Sequence, residues 1–147
     1  MDANWVNELY IGTEYTEGQG GAAGTWTYAK LCKGIEGMTF SENEQNQQYF
    51  FICGQGFAHN ETTGAAPELV ISGRRIVGDA AQDYIAGKQF ALGSDRNSNV
   101  KIVAEGQVIT CDCTIGAITS FGGSTLDINA FGCTIRFNGK PTVTTTA

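Results

Sequence analysis

Residues 69–93, LVISGRRIVGDAAQDYIAGKQFALG, decide the fold because their pattern changes from strand to helix. The apolar run at the start is rich in β-branched side chains, which is typical of a strand. Gly78-Asp79 ends this run. Ala81, Tyr84 and Ile85 then recur at helical spacing and give one apolar face. The stretch predicts a strand followed by one short helix over about residues 79–87.

The ends of this helix are marked by capping residues. The carboxylate of Asp79 can accept a hydrogen bond from a free N–H of the first turn. Gln82, three residues later, predicts a capping box, and Gly87 is a natural stop. Beyond it, Phe90 and Leu92 alternate and predict a second strand. No other segment has a comparable helical pattern, so the rest of the chain is predicted to be β-sheet covered by this helix.

Composition limits the class of protein. A chain of 147 residues suits one domain with a hydrophobic core. Nine basic against 15 acidic residues give a net charge of −6, which argues against a surface that grips duplex DNA. Twenty glycines and 2 prolines indicate short strands joined by tight turns. Neither a signal peptide nor a membrane-spanning run is recognised, so we expect an intracellular, reduced protein.

Three segments are predicted to extend from the domain. Residues 1–24 predict an arm with apolar anchors and a glycine-rich link, residues 54–67 a long loop, and residues 140–147 an extended tail. Residues 41–48 contain no apolar side chain and predict a loop or a water-facing strand, whereas residues 49–53, YFFIC, predict a buried strand. Three such appendages on one fold suggest self-assembly.

The five cysteines are the first candidates for chemistry. Cys111 and Cys113 share one face of a predicted strand, and Cys32, Cys53 and Cys133 also lie in apolar stretches. Thiols in such places act as small hydrophobic side chains. A zinc site needs four ligands in paired spacings, which this set does not offer. We therefore expect buried thiols and no metal site.

The remaining polar candidates do not form a catalytic motif. His59 is the only histidine and has no nucleophile motif beside it. Glu42 and Glu44 are interpreted as a solvated face, and Asp79 and Asp83 as a cap and an exposed helical charge. No catalytic or cofactor-binding residue is predicted, so the chain is not expected to be an enzyme.

A series of short motifs resembles the phage major tail protein (tail tube) family, of the siphophage type. The resemblance covers about residues 30–141 and depends on the order of the motifs, whereas residues 1–24 match nothing in the family. The motifs are Ser72-Gly73, GDAAQDYI at 78–85, FALG at 90–93, Gly106, a strand at 108–118, Gly122-Gly123, DINAF at 127–131, Thr134-Ile135 and NGKP at 138–141.

The resemblance implies a mainly β, tail-tube-type sandwich or barrel with one flanking helix, in a single domain of residues 1–147. Members form hexameric rings that stack into a hollow tube, through which viral DNA passes without specific binding. The implied location is the virion tail, assembled in the host cytoplasm. The implied partners are other copies of the chain and the tape measure, distal tail and tail terminator proteins, with no membrane and no cofactor.

Two sets of residues are candidates for roles in such a tube. Acidic walls repel phosphate and avoid the counterion release that makes basic surfaces sticky. The candidates for the lumen are Glu42, Glu44, Glu105 and Asp112. The candidates for contacts between rings are Trp5, Tyr10, Phe57, His59 and Asn60.

The alternative function is a β-sandwich module that binds carbohydrate or a receptor on a virion or cell surface. Its stacking platforms would be Trp5, Trp26 and Tyr28, since aromatic rings stack on sugars. Trp26 and Tyr28 can equally be core residues. Such a module stays small in solution, whereas a tube subunit forms rings or larger particles.

Overall fold

Ten antiparallel strands and one short helix make up most of the regular structure in the computed structural model, which describes residues 7–20 and 24–145. The helix α1 spans Ala80–Ala86, and single 3-10 turns occur at Ile52–Gly54 and Gly93–Arg96. The strands are β1 Glu8–Thr16, β2 Thr25–Lys30, β3 Ile35–Ser41, β4 Gln45–Phe50, β5 Ala58–Gly64, β6 Glu68–Arg74, β7 Asn97–Ala104, β8 Gln107–Thr119, β9 Ala130–Phe137 and β10 Thr142–Thr145.

Eight strands form one sheet and the other two form a separate hairpin. The order in the main sheet is β2-β1-β7-β8-β9-β6-β3, with β10 pairing the first part of β8. Within the described residues, the strands β4 and β5 pair with each other and with no other strand. Because β3 leads into β4 and β5 leads into β6, the chain from Ile35 to Arg74 is one long hairpin whose outer half leaves the sheet.

One hydrophobic core contains the buried side chains of β1, β6, β7, β8 and β9. Cys111, Cys113 and Ile115 of β8 are buried, and Asp112 between them is exposed. The shared face predicted for Cys111 and Cys113 is therefore confirmed, and the alternation continues as far as Ile115. It fails at Ala117, which has a positive φ of 49° and is exposed, at the irregularity in the pairing of β8 with β9.

The helix α1 begins where the sequence predicts it. Asp79 is its N-cap residue, and its carboxylate accepts a hydrogen bond of 3.3 Å from the backbone N–H of Gln82. The capping box is wrong, because the Gln82 side chain turns inward and is fully buried. Its amide nitrogen donates to the carbonyls of Lys33 (2.7 Å) and Arg74 (3.0 Å), and its oxygen accepts from the backbone N–H of Ile76 (2.7 Å).

Replacing Asp79 with alanine removes the cap of a two-turn helix. We expect Asp79→Ala to lower the free energy of unfolding by about 1 kcal/mol. Chemical denaturation followed by far-ultraviolet circular dichroism measures the change. Asp95→Ala is the matched control, since Asp95 lies in a 3-10 turn without a side-chain cap. An equal loss in both variants would contradict the capping role.

Three predictions about the outline of the domain are wrong. Residues 8–16 are not part of an arm but form β1, which lies between β2 and β7 and buries Leu9 and Ile11. Phe90 and Leu92 do not form a strand and are 86% and 82% exposed. Residues 140–147 are not simply a tail, since Thr142–Thr145 is the strand β10. Trp5 lies outside the described residues.

The central part of the chain also departs from its prediction. Residues 49–53 are not a buried strand, because Phe50 and Phe51 are more than half exposed. Residues 54–67 are not one loop, since they contain the strand β5. The predicted burial of all five thiols is right for three, but Cys32 and Cys53 are exposed. In the structure this apolar stretch forms the tip of a hairpin. Periodicity alone does not distinguish an apolar hairpin tip from a core strand.

Candidate assembly surfaces

Side-chain hydrogen bonds between β4 and β5 support the backbone pairing of this hairpin. No residue of β4 is buried, and β5 has only Gly64 partly covered. Thr62 donates a hydrogen bond to the Asn46 side chain (2.9 Å) and Thr63 to the carbonyl of Gln45 (3.2 Å). Such cross-strand contacts stabilise a sheet that has no core beneath it.

The end of this hairpin is its most apolar part. The hairpin tip, defined as Phe50, Phe51, Ile52 and Phe57, has side chains that are 57% to 101% exposed. Phe51 stacks on Tyr49 with ring centroids 5.9 Å apart and also lies 5.9 Å from the ring of His59. Monomeric soluble proteins rarely expose contiguous apolar patches larger than a few hundred Å². Patches above that size mark interaction sites.

The base of the hairpin is fixed to the domain by hydrogen bonds. The backbone N–H of Ala66 donates to the carbonyl of Glu42 (2.9 Å), and the Asn43 side chain donates to the carbonyl of Ala66 (3.0 Å). Asn43 has a positive φ of 47°, a conformation that asparagine tolerates better than most residues. This junction sets the direction in which the hairpin leaves the sheet.

An apolar groove opens beside this base. Its volume is about 490 Å³, and β3, β7, β8, β9 and β10 all contribute to its walls. The rings of Phe40 and Phe137 meet edge to face in it with centroids 5.9 Å apart. Asn7 and Glu42 are the polar lining residues. The apolar groove is defined by Met38, Phe40, Ile102, Ile109, Phe137 and Val143.

A second apolar surface lies at the opposite end of the domain. The β3–β6 ladder runs from Ile35 and Gly73 at the helix to Ser41 and Glu68 at the hairpin. The loops at the helix are tied together, since the Arg75 backbone N–H donates to the carbonyl of Asn129 (2.8 Å). The helix-end surface consists of Val77, Phe90, Leu92, Phe121, Leu126 and Ile128, which are 61% to 97% exposed.

An ion pair fixes the loop between β6 and α1. The guanidinium of Arg75 donates to the carboxylate of Asp83 at 2.8 Å, and the backbone N–H of Gly78 donates to the same carboxylate. The hydrogen bond from Arg75 and that from Gly78 lower the pKa of Asp83 below its usual value. The ionised form of Asp83 is therefore the form that holds this loop.

This ion pair predicts a loss of stability in acid. Because the folded protein lowers the pKa of Asp83, the carboxylate stabilises it at pH values above the unfolded pKa of 3.8. The contribution disappears as the pH falls through the folded value. We expect wild type to exceed Asp83→Asn in its urea midpoint at pH 6, and the difference to shrink towards pH 3. A difference independent of pH would contradict this account.

The outward face of β1, β2 and β7 carries a polar network. The ammonium of Lys101 lies 4.7 Å from the ring centroid of Tyr10 and 5.1 Å from that of Tyr28. The hydroxyl of Tyr28 donates to the Asn99 side chain (2.6 Å), which in turn donates to Asp112 (2.9 Å). Burial, with the charge of Asp112, raises the pKa of Tyr28. This face is engaged by contacts within the chain.

The network bears on two sets of predicted residues. Tyr10, a candidate for contacts between rings, donates to Glu8 at 3.0 Å and lies on this face, away from Phe57, His59 and Asn60 on the hairpin. Trp26, a candidate sugar platform, packs on Tyr15 at 5.2 Å and lies over Gly12, where a Cβ atom would come within 2.6 Å of its ring. Tyr28 is covered by Lys101.

The four candidate lumen carboxylates lie towards the hairpin end of the domain. Glu42 and Glu44 flank the junction of β3 and β4, and the side-chain hydrogen bond between them, in which protonated Glu42 is the donor, raises the pKa of Glu42. Glu105 occupies the β7–β8 turn with a φ of 52°. Asp112 is exposed on β8 but bonded to Asn99, so it is less free than the sequence implied.

The thiols give no sign of a metal centre. Burial raises the pKa values of Cys113 and Cys133 to about 12, so both remain protonated at neutral pH. A thiolate is the form that binds metal. Within residues 7–20 and 24–145, no group of three or more His, Cys, Asp or Glu side chains could hold a metal ion. None of the helices described there is long and apolar enough to cross a membrane.

The fold has counterparts among solved structures. No protein-family model matches the sequence, and no curated protein is significantly similar to it. A chain from the tail of an empty GTA particle, solved by helical refinement with C6 symmetry, aligns over 100% of both chains with a TM-score of 0.66 and 10% identity. The sheath/tube terminator of PVC, an extracellular contractile injection system, aligns over 98% of this chain and 96% of its own, with a TM-score of 0.54 and 11% identity. The chain is therefore similar in fold to tail-tube-type proteins.

Proposed function

We propose that the protein is a structural subunit of a phage-like tail, and specifically the major tube subunit, which forms hexameric rings that stack into a tube. The observation that carries the proposal is the hairpin, whose apolar tip projects from a domain with the fold of a C6-symmetric tail protein. The exposure of these apolar side chains is explained if a second copy of the chain covers them.

The distribution of apolar surface supports stacking. The hairpin tip and the helix-end surface lie at opposite ends of the β3–β6 ladder. Each copy therefore offers apolar surface to neighbours at both ends, and contacts between unlike patches give rings or open filaments instead of a closed twofold dimer. In the described part of the chain, β2 and β3 are the outermost strands of the main sheet, and their outer edges are available for lateral pairing between copies in a ring.

Electron microscopy of the purified protein tests this proposal. Negative stain at increasing concentration should show sixfold rings and stacked tubes with a central channel. Size-exclusion chromatography gives the corresponding mass. A protein that stays monomeric at high concentration would contradict the proposal, and rings that never lengthen would contradict the tube role.

The tube would conduct viral DNA without binding it. The net charge of −6 and the exposed carboxylates Glu42, Glu44 and Glu105 support a lumen that repels phosphate. Asp112 is the fourth lumen candidate. In this proposal the chain has no catalytic role. Its partners are other copies of itself and the tape measure, distal tail and tail terminator proteins, in a siphophage-type virion assembled in the host cytoplasm.

Lysine at the lumen should slow DNA passage. We expect the double variant Glu44→Lys, Glu105→Lys to form tubes of normal appearance and to eject DNA more slowly, because basic side chains release counterions from phosphate and hold the DNA. Both positions are exposed, so the fold should persist. Ejection is followed by dye fluorescence at two salt concentrations. Ejection at the normal rate from intact tubes would show that these positions do not line the channel.

A further inference from the structure

The apolar groove is an open cleft that leaves apolar side chains of the isolated domain exposed to water. Its volume of about 490 Å³ falls within the range of clefts that bury small molecules. Phe40 is 50% exposed and Val143 is 54% exposed on its walls, although both belong to the face that leads into the core. An occupant with apolar side chains would remove this surface from water.

The hairpin tip has matching chemistry. Residues 49–58, YFFICGQGFA, contain no charged side chain, and Glu42 is the charged residue that lines the groove. Burying the exposed parts of three rings and one isoleucine would hide about 500 Å². A stable interface buries about 800 Å² on each partner, so the tip would provide more than half of one side.

The geometry of the hairpin separates each tip from its own groove. Six residues of β4 span about 20 Å at 3.3 Å per residue. The hairpin therefore begins beside the groove, at Glu42, and carries its tip about that distance away from it. We propose that the apolar groove receives the hairpin tip of a neighbouring copy of this chain.

This inference rests on the proposed assembly and names the surfaces that make it. The contact is heterologous, because the tip of one copy meets the groove of the next. Every copy therefore offers one tip and one groove, and the series continues. The helix-end surface is left for a different contact.

A disulfide test uses a thiol that the chain already has at the tip. Cys53 is exposed next to Ile52, and Cys32→Ser removes the other exposed cysteine of the described residues. In this background Val143→Cys places a thiol in the groove and Val77→Cys places one on the helix-end surface, where Val77 is 83% exposed. Disulfides form only where Cβ atoms approach to about 4 Å.

Oxidised particles are then separated on a non-reducing gel. We expect a ladder of covalent multimers with Val143→Cys, its loss with reductant or with Cys53→Ser, and monomers with Val77→Cys. Assembled particles that give the ladder with Val77→Cys, or with neither variant, would overturn the groove assignment and leave the tube proposal standing. A parent protein that stays monomeric would overturn both.

A charge-swap experiment tests the contact between tip and groove independently. Ile52→Glu and Val143→Lys should each reduce the sedimenting polymer by roughly tenfold, because each leaves an unpaired charge in an apolar contact. Both side chains are more than half exposed, so the fold should tolerate the changes. The double variant should recover polymer, because the two new charges pair only if the two positions meet. Single variants that assemble normally, or a double variant that does not recover polymer, would refute the contact.

Discussion

Replacing Gln82 with leucine is expected to lower the free energy of unfolding by about 3 kcal/mol. The side chain is fully buried and satisfies the carbonyls of Lys33 and Arg74 and the backbone N–H of Ile76. Leucine fills similar space but leaves these groups without that partner, and each buried polar group left unpaired costs about 1–3 kcal/mol. The loss should be larger than that of any surface substitution.

Urea denaturation at neutral pH measures this change. Gln107→Leu is the matched control, since Gln107 is exposed at the start of β8 and we expect its replacement to change the unfolding free energy by less than about 0.5 kcal/mol. A loss in Gln82→Leu no larger than in the control would show that the loops at the helix end find other partners. The backbone N–H of Ile76 should exchange its hydrogen with solvent faster in Gln82→Leu than in wild type.

Excision of the hairpin is expected to abolish assembly while the domain remains folded. Replacing residues 45–64 by Asn-Gly joins Glu44 to Ala65 through a two-residue turn, three residues beyond the last pair of the β3–β6 ladder, Ser41 with Glu68, on each strand. None of the excised residues is buried, so the free energy of unfolding should change little. Every exposed apolar side chain of the hairpin tip is lost, so we expect a soluble monomer by light scattering and no tubes by electron microscopy.

The control for this excision keeps the tip and changes the shaft. Gln47→Ala with Glu61→Ala alters a facing pair of β4 and β5 and should leave assembly intact. Tubes of normal length from the excised protein would remove the hairpin, including Phe57 and His59, from the contacts between copies. An unfolded excision variant would show instead that the hairpin stabilises the domain, which its exposure argues against.

The predictions succeeded where local chemistry is sufficient. Asp79 begins α1 because a carboxylate can bond the free N–H groups of a first turn whatever lies around it. The alternation of β8 is visible in sequence because one face of a sheet is buried and the other is not. The mainly β fold follows from many such short runs, and its likeness to tail-tube-type proteins agrees with the order of motifs.

The predictions failed where the same local pattern fits two environments. An apolar run such as residues 49–53 suits a core or the tip of a hairpin, and only the detachment of β4 and β5 from the main sheet distinguishes them. Gln82 fits a capping box, but a buried partner at Lys33, 49 residues away, takes its amide instead. Leu9 and Ile11 gave too short a pattern to reveal that β1 lies inside the sheet.

The sequence by itself determined the helix, its cap, the strand-rich composition and the acidic surface, because each depends on neighbours within a few residues or on counts. The tertiary structure decided which apolar side chains are core and which are exposed, where the groove lies, and that the hairpin points away from it. These depend on pairing between strands far apart in the chain, such as β1 with β7 and β3 with β6, which local periodicity does not encode.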